Sequence, residues 1–161
     1  MVFATAVRLV GNATEAEDIA QTVFMRAFQR FDEIGPSATA AGWLKTVTRN
    51  ASLNHLSRYR RRWKLFSELA PAGDAAEAPE PVELLAMASS VTDDMERSER
   101  HARLELALRQ LPDHQRVPLV LFHFEELSYQ DIADTLGVSL GKIKTDIHRG
   151  RETLRRLMTE G

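Results

Sequence analysis

Residues 127–157 read LSYQDIADTLGVSLGKIKTDIHRGRETLRRL, and no other stretch narrows the possible folds so far. Ser128 and Asp131 form an S-x-x-D start signal, in which the hydroxyl caps an orphan N–H of a first helical turn. Ile132, Ala133 and Leu136 follow, and Gly137 suits the left-handed conformation that ends a helix. Ser139 can cap a second helix whose apolar positions Ile143, Ile147, Leu154 and Leu157 keep helical spacing. Its other faces carry Lys142, Lys144, Thr145, His148, Arg149, Arg151, Arg155 and Arg156. Two short helices on a glycine turn, the second apolar inside and basic outside, is a helix-turn-helix pattern. A plain helical hairpin needs the same cap, turn and stripe, and basic residues near a helix C-terminus suit the macrodipole. Here the basic residues begin in the first turn, where the dipole disfavours them and a DNA phosphate favours them.

The net charge of −2 conceals a partition. Residues 65–99 hold nine acids (Glu68, Asp74, Glu77, Glu80, Glu83, Asp93, Asp94, Glu96, Glu99) against the single base Arg97, so that segment is −8 and the rest +6. Such asymmetry points to basic surfaces joined by an acidic connector. At 161 residues and 43% hydrophobic content there is material for one ordinary domain or two small ones. The absence of cysteine excludes disulfides and cysteine metal sites and is compatible with a reducing cytoplasm. The apolar N-terminal run is interrupted by Arg8 and is too short to span a bilayer or act as a signal peptide. A soluble, unanchored, cytoplasmic protein is expected.

Taken in order, residues 3–10 predict a short helix with Phe3, Val7 and Val10 on one side, ended by Gly11 and Asn12. Thr14 to Glu17 reads as a capping box, which starts the next helix at Glu15. Ile19, Ala20, Val23, Phe24, Ala27, Phe28 and Phe31 form its apolar stripe; Asp18, Gln21, Thr22, Arg26 and Gln29 form a polar side that a solvated face would also explain. Residues 32–41 predict a loop around Gly35-Pro36. A long helix is expected from Ala40 to Trp63, with Trp43, Leu44, Val47 and Ala51 inward. Its far end sets Arg58, Arg60, Arg61, Arg62 and Lys64 among Tyr59 and Trp63. Cations neutralise phosphates and flat aromatics stack on unpaired bases, although a solvated basic helix end has the same composition.

From Leu65 to about Thr92, Ala, Pro and Glu dominate, and Pro71, Pro79 and Pro81 break regular structure, which predicts a flexible linker with a short helix over residues 83–90. Helical pattern resumes near Asp94, with Leu104, Leu108 and Leu111 in a stripe ending at Pro112. A further helix runs from Asp113 through Phe124, with Val117, Val120, Leu121 and Phe124 inward and a kink expected at Pro118. Glu125 and Glu126 read as a solvated loop. The five histidines lack metal-ligand spacing, and neither a phosphate-cradling glycine loop nor G-x-S-x-G occurs, so no catalytic residues, metal or cofactor are expected.

Three blocks, AEDIAQTVFMRAFQRF, GWLKTVTRNASLNHLSRYRRR and LRQLPDHQRVPLVLFHFEELSYQDIADTLGVSLGKIKTDIHRGRETLRRL, together resemble bacterial extracytoplasmic-function (group 4) sigma factors of the sigma-70 family. The resemblance covers about residues 6–64 and 99–158. It implies an all-α fold: a sigma-2 domain at residues 1–64, a linker at 65–95 and a sigma-4 domain with the helix-turn-helix at 96–161. It further implies a factor that binds core RNA polymerase, through the β′ clamp helices and the β flap, and directs it to promoter DNA, with an anti-sigma factor as regulator and no membrane insertion. Asp18, Gln21, Thr22 and Phe24 match the clamp-docking segment. Ser37, in the loop over residues 32–41 that captures a flipped base, together with Trp43, Asn50, Asn54, Arg58, Arg60, Arg61 and Arg62, matches the −10 surface. Ser128, Tyr129, Lys142, Lys144, Thr145, Asp146, His148 and Arg149 match the −35 reader.

Two departures stand out. The family often has an arginine where this chain has Asp146, and an acid there could accept a hydrogen bond from a cytosine amino group. Asn54 stands where the family commonly has Asp. The chain also begins late against the family pattern, by about one helix. Two other classes fit the basic helices: a free-standing helix-turn-helix regulator, which would bind duplex DNA tightly alone, and a protein-interaction module docking an acidic partner.

Overall fold

The computed structural model describes residues 1–35, 39–57 and 94–160. Eight helices are described: α1 (Val2–Val10), α2 (Ala13–Gln29), α3 (Phe31–Ile34), α4 (Ala40–His55), α5 (Asp94–Gln110), α6 (Asp113–His123), α7 (Tyr129–Leu136) and α8 (Leu140–Glu160). The chain divides into two compact units, with the division at residues 62 and 63. The expected linker up to Asp93, the short helix over residues 83–90 and the basic end of the long helix lie outside the described residues. No helix among the described residues is long and apolar enough to cross a membrane.

In the first unit α1, α2 and α4 pack on one another. Gly11, at φ 75°, closes α1 and donates its N–H to the carbonyl of Val7. The expected capping box does not cap α2. Asn12 does, its Oδ1 accepting from the N–H of Thr14 (2.9 Å) and of Glu15 (3.2 Å), so the helix begins at Ala13. Asparagine is as good a cap as threonine and stands two residues earlier, so it satisfies the orphan donors first. The core is built largely from small and branched side chains: Thr5, Ala6, Val7, Leu9, Ala16, Ile19, Ala20 and Val23 are buried.

On α4 the buried residues are Thr48, Ser52 and Leu53, whereas the expected inward set Trp43, Leu44, Val47 and Ala51 is only half-buried. Hydrophobicity misplaced this face because the two hydroxyls carry their own partners. Thr48 donates to the carbonyl of Leu44 (2.7 Å) and Ser52 to that of Thr48 (2.8 Å), so burial leaves no hydroxyl proton unbonded. α4 ends at His55, with Leu56 buried as its cap, and the expected continuation from residue 58 to Trp63 lies outside the described residues. The expected loop over residues 32–41 begins as the single helical turn α3, whose first turn carries Asp32 and Glu33 where the dipole favours acids.

In the second unit α8 packs on α5, α6 and α7. Leu108, Leu111, Val117, Leu119, Val120, Leu121, Ile132, Leu136, Ile143, Ile147 and Leu154 form its core. At α8's midpoint Gly150 allows close approach to α6, because a Cβ there would stand 3.2 Å from the carbonyl oxygen of Gln115. Of the expected solvated pair Glu125 and Glu126, only the second is exposed. Glu125 is buried, and Glu126 takes a left-handed φ of 57° that turns the chain towards α7.

Candidate polymerase and nucleic-acid interfaces

The turn between α7 and α8 forms as its residues dictate. Ser128 accepts from the N–H of Asp131 (3.1 Å) while its own hydroxyl donates to the Asp131 carboxylate (2.6 Å). Gly137, at φ 67°, ends α7, and Ser139 accepts from the N–H of Lys142 (3.3 Å) to start α8. Ser128 thus spends its hydroxyl on the cap. Tyr129 is half-buried, its ring stacked at 4.6 Å on Phe122.

Along α8 the expected DNA-facing residues separate into two groups. Gly141, Lys144, Thr145 and His148 share one face at i, i+3, i+4 and i+7, and Arg149 beside them is exposed. A Cβ at Gly141 would meet open space, and half-buried Thr145 donates its hydroxyl back to the Gly141 carbonyl (3.0 Å). Asp146 corrects the expectation. It is 5% exposed and lies on the inward side between Ile143 and Ile147, ion-paired with Lys142 (Nζ to Oδ2 2.7 Å), so it cannot meet a base. Burial raises the carboxyl pKa and the Lys142 hydrogen bond opposes that rise. Arg151, expected on the basic outer faces, is also buried, with its Nε donating to Nε2 of His123 (3.2 Å).

In the first unit α2 has two stripes of different character. Ala16, Ile19, Ala20 and Val23 face the core. Asp18, Gln21, Met25 and Phe28, at i, i+3, i+7 and i+10, face outward, flanked by Thr22 and Phe24. Phe24 is 57% exposed, Met25 and Phe31 65%, and Phe28 83%. The expected apolar stripe therefore splits, with Ile19, Ala20 and Val23 buried and Phe24, Phe28 and Phe31 exposed. Burying such a side chain stabilises a fold by about 1.5–3 kcal/mol, and Phe24, Met25, Phe28 and Phe31 contribute none of that to the first unit's core. Of the expected −10 residues, Trp43, Asn50 and Asn54 share one side of α4, at i, i+7 and i+11, opposite the buried Ser52. Trp43 is half-buried and both asparagines are exposed. Ser37, Arg58, Arg60, Arg61 and Arg62 lie outside the described residues.

Residues 1–62 match the family described as Sigma-70 region 2, and residues 101–154 match Sigma-70, region 4. The ECF RNA polymerase sigma factor SigE of Mycolicibacterium smegmatis is 37% identical over 157 residues, which take in 96% of this chain and 56% of that protein. The ECF RNA polymerase sigma factor SigW of Bacillus subtilis is 31% identical over 166 residues, covering 99% of this chain and 83% of its own length. Among solved structures, the sigma factor RpoE of Bartonella quintana, in complex with the anti-sigma factor NepR, is similar at a TM-score of 0.51 and 27% identity, over 98% of this chain and 89% of that one. The chain therefore spans just over half of the first relative and most of the second.

Proposed function

This chain belongs to the extracytoplasmic-function group of the sigma-70 family, and on that premise we propose that it binds core RNA polymerase, selects promoters and takes part in opening them. The observation that carries the proposal is the pairing of two units in the family's order. The first presents an exposed aromatic stripe on α2, and the second presents a basic helix-turn-helix. The exposed aromatic side chains add nothing to their own unit's core, and together with the basic outer side of α8 they suit a protein that grips polymerase and DNA at once.

In this reading Asp18, Gln21, Thr22, Phe24, Met25 and Phe28 dock on the β′ clamp helices, whose coiled geometry complements a stripe at i, i+3, i+7 and i+10. Residues 1–64 act as the sigma-2 domain, 65–95 as the connector and 96–161 as the sigma-4 domain, which also meets the β flap. Lys144, Thr145, His148 and Arg149 enter the −35 major groove; lysine donors suit guanine O6 and N7, and the threonine methyl suits that of thymine. Ser128 and Tyr129 lie at the α7 start, where they approach the backbone. Trp43, Asn50 and Asn54, with Ser37, Arg58, Arg60, Arg61 and Arg62, hold the −10 strand. Unstacking a base costs a few kcal/mol, which a base pocket and cationic strand contacts can offset without ATP, so the role needs no cofactor and no catalytic residue. The work is cytoplasmic, where polymerase is, and an anti-sigma factor covering one or both units is the expected regulator.

A gel-shift titration of a promoter duplex tests the proposal. A shift is expected when the chain and core polymerase are both present, with weak binding by the chain alone. Tight operator-like binding without polymerase would instead identify a free-standing regulator.

A further inference from the structure

Lys142 and Asp146 form an ion pair in which both side chains are largely covered, whereas Arg116–Asp113, with its arginine at 4%, leaves its carboxylate side chain 28% exposed. The exposed pairs Arg100–Glu96 and His148–Glu152 each keep at least one carboxylate side chain 62% exposed. The Lys142 and Asp146 side chains keep 14% and 7%, although they stand in the first two turns of the helix read as the DNA reader. His114 of α6, with Asp113 beside it, and Arg149 of α8 complete the charged groups around the Asp146 carboxylate. His114 is depressed from its ordinary value, by burial above all, so Lys142 supplies the close positive charge.

A lysine at such a position could extend its four-carbon stem to a phosphate. The competition decides whether it does. Removing the partner of a buried carboxylate leaves an uncompensated charge, which costs more than one hydrogen bond to an exposed phosphate returns. The internal partner wins. We propose that Asp146 latches Lys142 inside the domain and withholds it from DNA, which makes Asp146 a positioning residue that sets −35 affinity and discrimination without touching DNA. The proposal rests on α8 being the duplex-reading helix. Withholding one cation lowers the sequence-independent part of binding and leaves a larger share to base contacts by Lys144, Thr145 and His148.

The test uses the full chain assembled with core polymerase, on a promoter duplex and on the same duplex with a scrambled −35 element, over a series of salt concentrations. Asp146→Ala is expected to free Lys142, steepening the slope of log K against log salt by about 0.9 on both duplexes, tightening both at low salt and shrinking the ratio between them. The double variant Asp146→Ala with Lys142→Met is expected to return to the wild-type slope, and Lys142→Met alone to leave that slope unchanged. Should the single lysine variant melt early because it strands the carboxylate, the double variant carries the comparison. A slope unmoved by Asp146→Ala, or flattened by about 0.9 in the double variant relative to wild type, overturns the latch, since Lys142 would then already reach DNA. A wild-type holoenzyme indifferent to the −35 sequence refutes the promoter reading instead, and the slopes on the scrambled duplex still decide the latch.

Discussion

Arg149 and Arg151 stand two positions apart on α8 and have opposite fates. Arg149 is exposed beside the Lys144–His148 face, so Arg149→Ala is expected to weaken −35 binding about tenfold, by loss of a charge-assisted hydrogen bond, with polymerase binding unchanged. Competition binding with each partner checks this, and equal loss of both would assign the residue a structural role. Arg151 turns inward, lies 5.6 Å from the Phe122 ring centroid and donates to Nε2 of His123, which must be neutral to accept. Burial first, then the Arg151 charge, lowers the His123 pKa from 6.5 to about 4. The unfolded chain therefore binds a proton between those values that the folded chain refuses. This contribution to stability is full above pH 6.5 and is lost as pH falls towards 4. His114, depressed mainly by burial, acts in the same direction. Thermal melts of the full chain across that window are expected to fall with pH, and His123→Gln, which keeps an acceptor for Arg151 without titrating, is expected to flatten part of the fall. A melt of His123→Gln as pH-dependent as the wild type would contradict the assignment.

At the scale of elements α2 is the most informative helix. Its period was plain in the sequence, but the period alone cannot say which of two adjacent apolar stripes is inside. Val23 and Ala20 went in because they are small enough for α1 and α4 to approach, and the phenylalanines stayed out. Phe28→Asp is accordingly expected to leave the melting temperature within a degree or two while reducing polymerase affinity at least tenfold, as measured by pull-down and calorimetry. Early melting would instead assign Phe28 a structural role. The cap supplies the complementary case: Asn12→Ala is expected to cost about 1 kcal/mol and Thr14→Ala much less, the reverse of what a capping box at Thr14 implies. The α7–α8 turn and most of the described helices were legible because caps, glycines and apolar periods are local signals, whereas the single turn α3 was expected as loop. The polar inward positions were not. Thr48, Ser52, Glu125, Asp146 and Arg151 are hidden by tertiary packing, and where their partners are seen they are a carbonyl one turn back, a lysine one turn back, or a histidine 28 residues away.

Taken whole, the molecule keeps its chemistry on surfaces. The first unit exposes Phe24, Met25 and Phe28 on α2 and two asparagines on the outer side of α4, and the second exposes Arg149 on α8. The first unit matches Sigma-70 region 2 and the second Sigma-70, region 4. A chain of net charge −2 carries +6 outside residues 65–99. The central claim is that this chain confers promoter selectivity on core polymerase. In vitro transcription with purified core enzyme and genomic templates measures that directly. The account predicts transcripts that start at discrete sites only when the chain is added and that disappear when the matching −35 or −10 element is scrambled. Complete absence of chain-dependent, site-specific initiation across the genome's templates would contradict it.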